Sequence, residues 1–423
     1  MNLLKTSFLS ALETGIKLAS GFLVLKYLSM QTGPEGIATF GQFQNFVAAA
    51  ITTCAGAFTT GLVRYVSESH EQGTSRPYVE RAVGFASPLL VVLALSSLIF
   101  PGSLSALIFG TTDFAWAFIC LALAMPFSVL FQIVLALLNG SGRVRELIIS
   151  KSASSLLLLV LSILLVTFFG LGGGLASIVL APASAIVVAF VLIGKAPSQI
   201  DWTWFRPKFD ATSLRQYAPY WIMSMTTVVS TPVVLMLIRT SIGDQLGWAN
   251  AGYWEASWRI AELYLLVITT ALSIFYIPQL SRVATGNQER RLVHKTIAFA
   301  VATSSVLALG IYMLRNFVVV FMFSRDFIPV ADILAPQLLG SVIRIGCWVI
   351  AYHMIVRGKV VLMVVSELFF SFTLYAGSVY MTREFGLIGA SYAFLANASA
   401  YMCFAIAYYL ISIGRPRLLE ETE

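Results

Sequence analysis

GRVRELIISK, Gly142–Lys151, has an echo in GKVVLMVVSE, Gly358–Glu367: a glycine, a base, then apolar residues closing on Ser-Lys or Ser-Glu. A second pair follows downstream, GLASIVLAPASA (Gly174–Ala185) and GASYAFLANASA (Gly389–Ala400), alike at six of twelve positions without a gap. The offset is 216 residues in the first pair and 215 in the second. Self-similarity at one period is the mark of an internal repeat. Two copies of one arrangement therefore fill most of the 423 residues.

The composition says what is repeated. The chain is 58% hydrophobic and 11% charged, where a soluble domain carries about 25% charged residues. A membrane-spanning helix needs about 20 mostly apolar residues. Twelve runs qualify: 7–30, 37–66, 79–100, 113–138, 145–170, 174–194, 214–241, 248–282, 292–323, 329–356, 359–382 and 386–413, the ninth interrupted at Arg315-Asn316. Spanning β-strands are about 10 residues long and alternate in polarity, which these runs do not. The first run is long, holds Glu13 and Lys17 and lacks a clear small-residue cleavage site, so it reads as a retained helix rather than a signal peptide.

The repeat pairs the fifth and sixth runs with the eleventh and twelfth. Six runs per copy, an even number, gives both copies the same orientation, a parallel repeat about an axis along the membrane normal. Transporters built from such repeats bind substrate between them and rock between two open states. The predicted fold is an all-α polytopic membrane protein: twelve transmembrane helices in two parallel six-helix bundles, 1–194 and 214–414, around a central cationic cavity. A basic interfacial linker at 195–213 joins them, and 415–423 forms a tail.

Charge fits this layout. With the N-terminus inside, nineteen Lys and Arg residues fall on the cytoplasmic side and five on the other. That bias places both termini in the cytoplasm and accounts for the net charge of +7 without nucleic acid. WTWFRPKF, Trp202–Phe209, mixes aromatics with bases and reads as an interfacial segment, and GLGGGL at 170–175 as an interhelical turn lacking the lysine of a phosphate loop. Cys54, Cys120, Cys347 and Cys403 read as small apolar core residues. His70 and His294 are read into cytoplasmic loops and His353 near a helix end, none with metal-ligand company.

Seven charges lie well inside the first, eighth, tenth and eleventh runs: Glu13 and Lys17; Glu255, Arg259 and Glu262; Arg344; and Glu367. At about 3 kcal/mol each, facing all of them to lipid would cost on the order of 20 kcal/mol. They therefore face one another or a water-filled cavity. Glu13 with Lys17, and Arg259 with Glu255 and Glu262, have the spacing of pairs within one helix. Arg344 has no acid within a turn, so its partner is Glu367 on the next run or an anionic substrate. Lys17 in the first half and Arg259 and Arg344 in the second are candidates to line an anion-binding cavity, for which phosphate is a natural ligand. Arg64, near a cytoplasmic end, fits a topological role equally well. No nucleophile–base pair and no metal motif is present.

Twelve runs, a six-plus-six repeat and buried bases together resemble the multidrug/oligosaccharidyl-lipid/polysaccharide exporter superfamily, most closely the Wzx-type O-antigen flippases and the flippases of lipid III of enterobacterial common antigen. The anchors are KLASGFLVLK (17–26), GLVRY (61–65), YIPQLSR (276–282), RIG (344–346) and SE (366–367). The resemblance implies transport of undecaprenyl-diphosphate-linked oligosaccharide from the inner to the outer leaflet of the bacterial inner membrane, without an enzyme activity or cofactor. It implies functional bases at Lys17, Lys26, Arg64, Arg239 and Arg344 and an acid at Glu367; Arg259 rests on its position alone. A proton or sodium ion is an expected driver, with Glu13, Glu255, Glu262 and Glu367 as coupling or ion-pair residues. Expected partners are the lipid-linked sugar, membrane lipids and polysaccharide polymerase machinery. Three competing readings are weaker. A multidrug cation antiporter favours an acidic cavity, and a lipid II flippase is expected to have fourteen helices. A polymerase or ligase is expected to carry a large external loop, and the external segments here are short.

Overall fold

The computed structural model describes residues 3–56, 58–70, 75–194, 202–228, 230–283 and 286–414. The expected tail and residues 195–201 of the expected linker lie outside them. Every regular element among the described residues is helical, and the chain separates into two compact units, Met1–Met236 and Leu237–Glu423.

The first unit contains α1 (Leu3–Ile51), α2 (Thr59–His70), α3 (Arg76–Ile99), α4 (Pro101–Phe109), α5 (Ala115–Gly140), α6 (Val144–Gly194) and α7 (Ala211–Val228). Helix α8 (Ser230–Leu246) crosses the boundary between the units. The second unit continues with α9 (Trp248–Ala271), α10 (Ile277–Arg282), α11 (Asn287–Met313), α12 (Arg315–Met322), α13 (Val330–Val356), α14 (Val360–Phe385) and α15 (Leu387–Gly414).

Among the described residues, eight helices are long and apolar enough to cross a membrane. Two of them are double length, because α1 breaks at Gly33 and α6 at Gly170, where the backbone leaves helical geometry. The chain is thus a multi-pass membrane protein. The seventh expected run is helical over α7 and α8, with residue 229 between them outside the described residues. The eighth is helical but is not among the eight apolar spans, and is divided into α9, a π-helical turn at Leu272–Tyr276 and α10. Glu255, Arg259 and Glu262 lower the hydropathy of α9, charges that a lipid-facing helix would not carry. The interruption expected at Arg315-Asn316 is present: α11 ends at Met313 and α12 starts at Arg315.

The two units repeat the same turns. Gly142 and Gly358 have φ of 68° and 70°, a left-handed conformation that costs a residue with a Cβ. Around them the backbone bonds correspond: Ser141 N to Leu137 O with Arg357 N to His353 O, and Arg143 N to Leu138 O with Lys359 N to Met354 O. Gly170 (φ 56°, ψ −136°) and Gly386 (φ 66°, ψ −151°) occupy a region almost closed to other residues. Three residues on, a Cβ at Gly173 would collide with Leu165 O, and one at Gly389 with Met381 O. The offset stays at 216 throughout, so Gly173, not Gly174, is the counterpart of Gly389. Letter matching slipped by one residue because 172–174 offers three adjacent glycines, of which the close backbone approach selects one.

Apolar packing fixes each unit. In the first, Phe131, Val134, Leu135 and Leu138 of α5 pack on Ala185, Ile186, Ala189 and Ile193 of α6, and Phe205 of a short 3₁₀ turn (Trp202–Phe205) covers one end. The two arms of α6 are joined by a Ser162–Ser177 hydroxyl contact of 2.8 Å. In the second unit, Cys347, Phe370 and Tyr401 tie α13, α14 and α15 together. The cysteines divide: Cys54 and Cys347 are buried, but Cys120 is half-buried and Cys403 exposed, so the core reading holds for two of four. A lipid-facing helix position suits a small apolar side chain as well as a core does, and sequence alone cannot separate the two. His294 lies within α11 and His70 ends α2, so neither stands in a loop.

Candidate functional site

Helices α8 and α9 meet at Gly247 and carry a four-membered ionic network in the second unit. Glu255 is its hub and is 2% exposed. Its Oε2 accepts from Nε of Arg239 at 3.2 Å and, more closely, from Nη2; its Oε1 accepts from Nε of Arg259 at 2.8 Å. Arg259 turns its Nη1 to Glu262 Oε2 at 3.4 Å, and Glu262 Oε1 accepts from Trp258 Nε1 at 2.8 Å. The Arg239 guanidinium lies 5.9 Å over the Trp254 ring and is fully buried. Exposure rises along the chain of charges, from 0% at the Arg239 side chain to 21% at Arg259 and 48% at Glu262. Two arginines and two glutamates cancel, which lets the group sit inside an apolar bundle.

A second site lies on α13. Arg344 Nη2 is 3.6 Å from Glu367 Oε1 on α14, and its guanidinium stands 5.8 Å over the Tyr401 ring. The side chains are 16% and 18% exposed. The pair is longer than an N–H···O hydrogen bond of about 2.7–3.2 Å, so Glu367 neutralises Arg344 without saturating its donors.

In the first unit the expected bases are separate. Lys17 is exposed, Glu13 is half-buried, and the ion pairs among the described residues include none between them. Lys26 is half-buried on the same arm of α1. Arg64 on α2 donates to Glu68 Oε1 at 2.8 Å and to the Tyr220 hydroxyl at 3.2 Å, and its side chain is 63% exposed. Tyr220 belongs to α7, which is stapled to this unit. Tyr217 donates to Tyr78 O at 2.8 Å, and Trp221 Nε1 to Thr53 O at 2.8 Å. Thr53 lies in the π-helical turn Thr52–Gly56, where the regular ladder of carbonyl bonds is interrupted. Among the described residues no cluster of His, Cys, Asp and Glu has the company to hold a metal ion.

Residues 47–332 match the family described as polysaccharide biosynthesis protein. The chain belongs to this family. It is also similar to the lipid III flippase of Escherichia coli (strain K12), 24% identical over 97% of this chain and 99% of that protein. Among solved structures, its fold is similar to that of an inward-facing multidrug resistance MATE transporter of the MOP superfamily, with a TM-score of 0.79 at 14% identity over 95% of this chain and 94% of the other. It is similar again to the lipid II flippase MurJ in an inward closed conformation, with a TM-score of 0.70 at 15% identity, covering 97% and 88%. Flippases by sequence and transporters by fold agree with the expectation of a transporter rather than an enzyme.

Against the expected site residues, the structure gathers Arg239, Glu255, Arg259 and Glu262 into one network and Arg344 with Glu367 into another. The tie from Arg239 to Glu255 was not read from the sequence. The signal was available: two opposite charges in apolar runs, sixteen residues apart across the glycine at 247. Tyr220 and Trp221 were also missed, because aromatics in a membrane helix look alike until their hydrogen-bond partners are known.

Proposed function

We propose that this protein flips an undecaprenyl-diphosphate-linked oligosaccharide, an O-antigen unit or a related repeat, from the cytoplasmic to the periplasmic leaflet of the bacterial inner membrane. In this reading the chain crosses the membrane twelve times as halves 1–194 and 214–414 joined by 195–213, with both termini cytoplasmic. Alternating access exposes the bases of the two halves first to one side and then to the other. The diphosphate is met by Arg344 with Lys17, Lys26, Arg64 and Arg259, while the polyprenyl tail stays in lipid. A bare charged headgroup in hydrocarbon would be prohibitive, so fixed charges must replace its lost water. Arg239 serves from behind by holding Glu255, which positions Arg259.

The observation that carries the reading is the loose Arg344–Glu367 pair, 3.6 Å apart and partly exposed, with Arg344 in the middle of a mostly apolar helix. An arginine presents five donors in a fork that matches phosphate, and this one is only partly engaged. The kinship with a lipid III flippase supports the class of cargo. A proton or sodium gradient drives the cycle, with Glu13, Glu262 and Glu367 as coupling carboxylates; transport unchanged after all three become glutamine would exclude them.

The test is flipping of a fluorescent undecaprenyl-diphosphate oligosaccharide in proteoliposomes, wild type beside Arg344→Ala and Arg344→Lys. Transport by wild type, loss in the alanine variant and partial retention in the lysine variant are expected. A folded wild type that moves cationic dyes and no lipid-linked sugar would favour a multidrug antiporter instead.

A further inference from the structure

A third ionic group lies at the far end of α13 from its N-terminus. Glu289, in the first turn of α11, is 4% exposed. Its Oε1 accepts from Arg357 Nε at 2.8 Å and Nη2 at 2.6 Å, and lies 2.9 Å from His353 Nε2. Arg357 Nη2 also donates to Val283 O at 3.2 Å, just past the end of α10. Glu289 and Arg357 together thus tie α10, α11 and α13. His353 is 2% exposed, and its other nitrogen, Nδ1, is buried with no hydrogen-bond partner. The other titratable groups nearby come from each neighbouring element. They are Arg290 and His294 on α11, Tyr276 of the π-turn (whose hydroxyl donates to Val349 O at 3.2 Å), and Tyr408 and Tyr409 of α15, with rings 6.0 and 5.7 Å from the imidazole.

We propose that Glu289 and His353 form a proton-binding site whose occupancy releases α10 and α11 from α13. The charge count makes the case. With Glu289 ionised, Arg357 charged and His353 neutral, the cluster is balanced and every contact is attractive. One more proton cannot be absorbed silently. On His353 Nδ1 it creates a second cation on a single carboxylate oxygen, with no acceptor for the new N–H. On Glu289 it removes the negative charge that holds Arg357, leaving a cation beside a neutral carboxyl. Either way Arg357 is the group that leaves, because it is the one with solvent beside it, its side chain being 25% exposed. Its departure also frees Val283 O. A purely structural cluster would satisfy the imidazole on both sides; this one keeps a buried nitrogen in reserve. That the release couples to transport rests on the flippase reading, whereas proton binding does not.

The experiment uses the full-length protein in lipid nanodiscs with nitrogen-15-labelled histidine, following ring signals from about pH 8 to 5, where imidazoles change charge. The chain has three histidines, and His353→Gln assigns the signal of interest. A spin label at Ser281 on α10 reports release. The expected result is a His353 titration, with an increase in label mobility at the same pH that Glu289→Gln makes independent of pH. A His353 signal that stays neutral over the whole range, or label mobility indifferent to pH in the wild type, overturns the proposal. In proteoliposomes, a gradient of one pH unit shifts the leaflet distribution of the lipid-linked sugar by about tenfold per coupled proton, and His353→Gln reduces that shift by one such step while leaving flipping itself. An unchanged shift in His353→Gln removes the coupling role. Absence of any flipping, with titration and release intact, fails the flippase reading alone.

Discussion

In the second unit, the α8–α9 network seals charge in: Arg239 and Glu255 are 0% and 2% exposed at their side chains, and both glutamates of the network have an arginine in contact. In the first, Arg64 is 63% exposed with its partner Glu68 at 58%, and Lys17 stands exposed beside a glutamate it does not touch. The same residue types do two kinds of work. Buried pairs fix the geometry of a helix pair and present one edge, Arg259 and Glu262, outward. Open bases keep their side chains in reach of water. A count of intramembrane charges would merge the two groups, and only the identity of each partner separates them.

The largest effect should come from breaking the sealed network. Glu255→Ala strands two arginines, and losing one partner of a buried pair costs about 3–5 kcal/mol, read as a fall in thermal stability in detergent. Glu68→Ala, its open counterpart, should cost within about 1 kcal/mol; equal losses would erase the distinction. Next is Arg344→Ala. A hydrogen bond to a charged group is worth about 1.5–3 kcal/mol, so flipping should fall by roughly ten- to a hundredfold with the melting temperature little changed. A third test sets the repeats against each other: Gly170→Ala and Gly386→Ala should each cost about 1–3 kcal/mol, and unlike costs would show that one turn is less constrained than its twin. The smallest effect belongs to the linker. Asp210 Oδ1 accepts from the backbone N–H of Ser213 at 2.7 Å and its hydroxyl at 2.9 Å, with Arg81 3.7 Å from Oδ2, and these partners hold the Asp210 carboxyl below its ordinary range. A lowered carboxylate contributes stability above its unfolded pKa of about 3.9 and loses it as pH falls below. Acidification should therefore make the linker more sensitive to protease, and Asp210→Asn should remove that pH dependence.

Much of this was legible in the sequence. Long apolar runs and the repeat marked the helices, because a span must be apolar over its whole length and a duplicated turn keeps its glycine. Pairs within one helix, Arg259 with Glu255 and Glu262, followed from spacing. The cross-helix ties did not. Arg239 to Glu255, Arg64 to Tyr220 and Glu289 to His353 depend on which helix faces which, information that no single helix carries. Arg344 was intermediate: the absence of a local acid said that a partner must exist elsewhere, and Glu367 was among the candidates, but its 3.6 Å separation had to be seen.

The Arg239–Glu255 pair also bears on how the chain is made. A nascent helix that enters the bilayer with a bare arginine meets a penalty of about 3 kcal/mol, and a glutamate in the next helix meets its own. Here the two charges lie within one α8–Gly247–α9 hairpin, sixteen residues apart. Each can be neutralised as soon as the hairpin leaves the insertion machinery, before any later helix has been synthesised. The ion pair that later braces the finished protein is thus available first as an insertion device, and α8 and α9 should enter the membrane together or not at all.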